Sequence, residues 1–211
     1  KEPKERQEIR QRLDTEEAFD AKTIAALASH MVPPAAPAVS SVDGFFELEA
    51  CLPFPEGQNK ATARYLVQLP PEYDARRRYP TIMTLHGAGT TPLQQIDWWT
   101  GTKTKNGRRE GQGSRHGVIV ISPAWSEKTQ LEYRYSAKEH SLILAVLRDA
   151  SRQFSIDSNR VFLSGHSIGG DAAWDIGLSH PDLWAGIIVL SGKAGRFVHH
   201  YHPNAQTLPF Y

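Results

Sequence analysis

The chain has 211 residues, 40% of them hydrophobic and 22% charged, which is enough apolar material for one sizeable core and too little charge excess for a disordered chain. Lys and Arg number 24 against 23 Asp and Glu, and a net charge of +1 gives no global field for nucleic acid or an anionic membrane, so neither is expected as a partner. Its single cysteine, Cys51, excludes an intrachain disulfide and reads as a small buried hydrophobe, and no apolar run approaches the ~20 residues of a membrane-spanning helix.

Residues 1–39 differ in composition from the rest and read as a helical extension with a linker. Asp14 and Glu17 resemble a capping pair, and Ile24, Leu27, Ala28 and Met31 then recur at helical spacing. Pro33-Pro34-Ala35-Ala36-Pro37 cannot sustain a helix and favours polyproline geometry. A compact domain over residues 40–211 follows. A strand is expected over Ala63–Leu69, stopped by Pro70-Pro71, and a short apolar strand over Thr81–Leu85, ending in His86-Gly87. Val118–Ile121 is a near-continuous apolar run, as suits a strand buried on both faces. Ser136 and Glu139 form a capping box, after which Leu142, Ile143, Val146, Leu147, Ala150 and Phe154 share one helical face. A strand at Val161–Leu163, a helix over Gly169–Ser179 and a strand at Gly186–Leu190 complete the pattern. Strands separated by helices imply right-handed crossovers, hence an α/β fold with a mainly parallel sheet flanked by helices.

Gly165-His166-Ser167-Ile168-Gly169 closes an apolar strand and opens a helix. A serine on so tight a turn must take strained dihedrals, and glycines two positions before and after remove side chains that would collide there. Its hydroxyl then projects from the sheet edge at a helix N-terminus, where the next amide can face a developing oxyanion. With YLVQLPPEY (65–73), YPTIMTLHGAG (79–89), the strand 118–123, VFLSGHSIGG (161–170) and HPDLWAGIIVLSG (180–192), the chain resembles the α/β-hydrolase fold. Within that fold it is similar to the esterase-like group of dienelactone hydrolases, feruloyl-type esterases and prolyl-oligopeptidase-like catalytic domains. The resemblance implies that Ser167 is a nucleophile and the Ile168 amide one oxyanion donor. It implies a second donor in the His86–Gly89 turn, at Ala88 with Gly87 as its neighbour, His86 and His166 being hydrogen-bonded supports.

The resemblance also implies an acid and then a histidine after the serine. Asp171 and Asp175 point along the helix that Ser167 opens, and Asp182 follows it at the far end of the sheet, so none suits an imidazole partner. His199, His200 and His202 follow the sixth strand, earlier than the family order places the base. Thr207–Tyr211 looks like the start of a seventh strand, and the chain is therefore expected to be a fragment whose companion segment or chain carries the missing Asp and His.

Trp98, Trp99 and Trp125 follow strands at the edge where such sheets bind substrates, and with His86 they are candidates for a substrate pocket. Trp174 reads as core. Lys103–Arg115, with Lys105, Arg108 and Arg109, reads as a mobile basic surface loop, able at most to recognise a carboxylate or phosphate. No His, Cys or carboxylate cluster has ligand spacing and no phosphate-cradling loop is present, so neither metal nor cofactor is expected. The expected function is a serine hydrolase of small carboxylic esters acting through an acyl-enzyme. Peptidase or thioesterase chemistry on the same machinery and a noncatalytic binding module are the alternatives.

Overall fold

The computed structural model describes residues 21–29, 43–56 and 59–211. The chain divides into two compact units, residues 1–33 and 34–211. The first contains helix α1 (Ala21–Ser29); Asp14, Glu17, Met31 and the proline stretch 33–37 lie outside the described residues.

In the second unit, strands β1 (Phe45–Glu56) and β2 (Asn59–Gln68) form an antiparallel hairpin. β3 (Tyr79–Leu85), β4 (Ile119–Pro123), β5 (Ile156–His166) and β6 (Gly186–Leu190) run parallel, giving one six-stranded sheet in the order β1-β2-β4-β3-β5-β6. Helices α2 (Pro92–Thr100), α3 (Gln112–Arg115), α4 (Ala137–Gln153), α5 (Ile168–Ser179) and α6 (Val198–Tyr201) fill the connections. Residues 209–211 continue the sheet beyond β6: Ile187 donates to Pro209 and Tyr211 donates back to Ile187, each at 2.9 Å. Of the segment Thr207–Tyr211, expected to start a strand, only residues 209–211 pair, through a single parallel bridge between Ile187 and Phe210.

Alternation along the strands divides the core between two faces. On one, Phe46, Leu48 and Ala50 of β1 and Tyr65 and Val67 of β2 meet Ile119 and Ile121 of β4 and the apolar faces of α4 and α5. On the other, Leu66 and Val120 pack against Ile96 of α2. Every residue of β4 is buried, as its unbroken apolar run predicts. The Ser136–Glu139 capping box forms and starts α4. Tyr65 ties the hairpin to that helix by donating to Asp149 at 2.7 Å.

The structure departs from the sequence reading in several places. β1 has no counterpart in it, although its buried Phe46, Leu48 and Ala50 alternate with exposed Glu47 and Glu49. Cys51 continues that alternation and is exposed, not buried. β5 is longer than Val161–Leu163 because its first residues run past the layer on exposed polar side chains. α2 is also new, opened by a Thr91–Gln94 capping box. The segment 103–115 is anchored instead of being a loose basic loop: Arg109, 7% exposed, pairs with Asp97 and donates to the Gly101 carbonyl at 2.6 Å.

Candidate active site

Ser167 joins β5 to α5 with φ 54° and ψ −121°. A non-glycine residue in that region carries about 1–3 kcal/mol of strain and persists only where its surroundings fix it. Here its amide donates to Leu190 of β6 at 2.9 Å, and its carbonyl accepts from Gly170 at 2.8 Å and Asp171 at 3.1 Å. The flanking glycines are required by space. A Cβ on Gly165 would overlap the Gly169 carbonyl, and one on Gly169 would overlap the carbonyl of Leu85 in β3. Among the described residues the Ser167 hydroxyl has no hydrogen-bond partner.

The His86–Gly89 turn lies against the serine. A Cβ on Gly87 would stand 3.1 Å from the Ser167 Cβ and 3.0 Å from His166 Nδ1. The Gly87 carbonyl accepts from the Thr90 amide at 3.2 Å and the Thr90 hydroxyl at 2.8 Å, and it lies 3.1 Å from His86 Nδ1. Gly89 completes the turn at φ +69°. Among the described residues neither the Ala88 nor the Ile168 amide donates to a backbone carbonyl. His86 is buried, and that burial lowers its pKa despite the opposing hydrogen bond to Gly87.

The three tryptophans take different places. Trp98, 60% exposed, lies over His166 with ring centroids 5.8 Å apart, beside the serine. Trp99 turns into the sheet, donates to the Thr84 hydroxyl at 3.2 Å and packs with Ile96 and Val120. Trp125 is buried and donates to the His86 carbonyl at 3.1 Å, so it braces the turn. Trp174, expected in the core, is half-buried and stacks on Phe210 at 4.3 Å.

Sequence order did not reveal an aromatic series that starts at this brace. Centroid distances of 5.9, 6.0, 4.4 and 6.2 Å link His86, Trp125, Tyr133, Tyr135 and Phe197 in turn. The alternating Tyr133 and Tyr135 were its only local trace. Tyr133 is anchored by donating to Asp175 at 2.8 Å, and burial with that carboxylate beside it raises its pKa, so it remains a donor.

Asp171, Asp175 and His180 have partners other than Ser167. Asp171 accepts the Lys193 amide at 2.6 Å. Asp175, 1% exposed, also meets His140 Nε2 at 2.8 Å, and His140 Nδ1 lies 3.5 Å from His180 Nε2. His199, His200 and His202 are exposed. Among the described residues no imidazole is hydrogen-bonded to Ser167, no group of three or more His, Cys, Asp or Glu is placed to hold a metal ion, and no helix is long and apolar enough to cross a membrane.

A family model described as "Putative esterase" matches residues 59–196, and the chain belongs to that esterase family. The chain is 24% identical over 129 residues to dipeptidyl-peptidase 5 of Porphyromonas gingivalis, a match covering 60% of this chain and 19% of that protein. Its structure is similar to a thermostable esterase, with TM-score 0.56 and 19% identity over 80% of this chain and 45% of the other. It is also similar to a substrate-bound, fluorophosphonate-binding serine hydrolase of Staphylococcus aureus, with TM-score 0.52 and 18% identity over 70% and 56% of the two chains. The chain thus spans less than half the length of the first relatives it matches. The likeness defines the fold as that of the α/β-hydrolases.

Proposed function

We propose that the chain forms the nucleophile-bearing part of a serine hydrolase acting on carboxylic esters. The observation that carries this reading is the strained conformation of Ser167 on a glycine-walled turn, a cost that N-capping alone does not call for. In the proposed reaction Ser167 Oγ bonds to the acyl carbon as its proton passes to a base. The ester C–O bond then breaks, the alcohol leaves with that proton, and water hydrolyses the acyl-enzyme by the reverse sequence. The amides of Ile168 and Ala88, with Gly87 shaping the turn, hold the oxyanion. The base and its carboxylate come from a companion segment or chain, since no imidazole among the described residues reaches Ser167. Membership of the esterase family supports ester chemistry.

Fluorophosphonate labelling with intact-mass readout tests the proposal on the protein together with its companion segment or chain, and on the Ser167→Ala variant of the same assembly. Labelling of the first and not the second is expected. Equal labelling of both would remove Ser167 from the reaction, and no labelling of either would favour a noncatalytic binding module.

A further inference from the structure

The segment that follows β6 is held in a costly shape beside the serine. Ser191 and Arg196, neither of them glycine, stand at φ 56° and φ 43°. Between them, Gly192 packs so closely on α5 that a Cβ there would fall 2.6 Å from the Gly170 Cα. The Lys193 amide donates to Asp171 at 2.6 Å, and the Asp171 amide in turn donates to the Ser167 carbonyl. The segment is therefore two hydrogen bonds removed from the serine. Its far end is fixed by aromatic contact, since the Arg196 guanidinium lies 5.1 Å above the Tyr135 ring, the ring that also meets Phe197.

This strained stretch presents two exposed cations. Neither Lys193 nor Arg196 forms an ion pair with a carboxylate among the described residues. One oxygen of the Asp171 carboxylate is already held by the Lys193 amide. Strain sustained on a rim, unpaired positive charge and a guanidinium pre-oriented over a ring form a site suited to a planar anion.

Building on the serine-hydrolase reading, we propose that Arg196 and Lys193 form a subsite of the Ser167 site for a carboxylate borne by the substrate. The preferred esters are half-esters of dicarboxylic acids or esters of similarly charged alcohols. Arg196 engages the carboxylate as a fork, with its plane set by Tyr135, and Lys193 adds a second positive charge.

Binding of 4-anilino-4-oxobutanoate, an uncleavable amide counterpart of a half-ester, tests this against its uncharged methyl ester by calorimetric titration at low salt. The acid is expected to bind about ten-fold more tightly, a preference that shrinks as salt is added. Arg196→Gln should abolish most of it, Lys193→Gln should weaken it, and Arg196→Lys should restore only part. Equal affinity for acid and methyl ester, or a preference unchanged in the doubly substituted Lys193→Gln, Arg196→Gln chain, overturns the proposal. Both positions are exposed, so the variants are expected to fold. Fluorophosphonate labelling of the same variants with the companion segment or chain present reports on the hydrolase reading separately: an acid preference without labelling of Ser167 refutes that reading alone.

Discussion

Replacing Gly169 by alanine tests the packing that aims the serine. The added Cβ would lie 2.8 Å from the Leu85 carbonyl carbon and 2.9 Å from the His86 oxygen, closer still to the Leu85 oxygen, where ordinary contact begins at 3.4 Å. All three atoms belong to the backbone of β3 and the turn after it, so no side chain can swing away. The first turn of α5 must retreat by at least about 0.6 Å, judged from the carbonyl carbon alone. Forced overpacking of this kind costs about 1–3 kcal/mol. In a domain of this size that corresponds to a fall of about 2–12 °C in Tm. The same retreat carries Ser167 away from the His86–Gly89 turn, and misplacement on the order of 1 Å costs about 10²-fold in rate. Urea unfolding gives the first quantity and the fluorophosphonate labelling rate the second. A Gly169→Ala chain with stability within about 0.5 kcal/mol of the original would show that α5 is not braced on β3 at this point.

Three further substitutions or conditions probe the same region. Ser167→Gly should raise unfolding stability by about 1 kcal/mol while abolishing labelling, because glycine adopts φ 54° without strain; a destabilised variant would refute the strain argument. Trp125→Phe removes the donor to the buried His86 carbonyl and should cost about 1–3 kcal/mol by chemical denaturation, with slower labelling because the turn loosens; an unchanged labelling rate would separate this brace from the site. Burial lowers the pKa of both His86 and His180, with His140 adding to the effect at His180, so below their ordinary value of 6.5 the unfolded chain takes up protons that the folded chain resists. Stability should therefore be complete above pH 6.5 and decline on acidification, more gently in His180→Gln; a flat profile between pH 8 and pH 5 would contradict it.

What could be read from the chain beforehand was whatever local covalent geometry determines. The glycines around Ser167 act within five residues, and the turn they imply is the one observed. The Ser136–Glu139 box and the apolar runs of β4 and β6 are likewise local. Trp98, Trp99 and Trp125 show the limit. Chain order puts all three near the same sheet edge, but which way each indole turns depends on partners far along the chain, Thr84 for Trp99 and His86 for Trp125. Tyr133 and Asp175 are 42 residues apart, and their bond gave no sequence signal. β1 was legible in principle, because its alternation is regular; the charged Glu47 and Glu49 concealed a buried face on the other side of the ribbon.

The hydrogen bond from the Ser167 amide to Leu190 makes the last strand a condition of the elbow. β3 and β5 can pair through Thr81–Leu85 and Val161–Gly165 before β6 arrives, but the serine amide then lacks its Leu190 partner. Until β6 docks, the strained turn at Ser167 has one hydrogen bond fewer to keep it from relaxing. During refolding, recovery of the sheet should therefore precede recovery of a reactive serine.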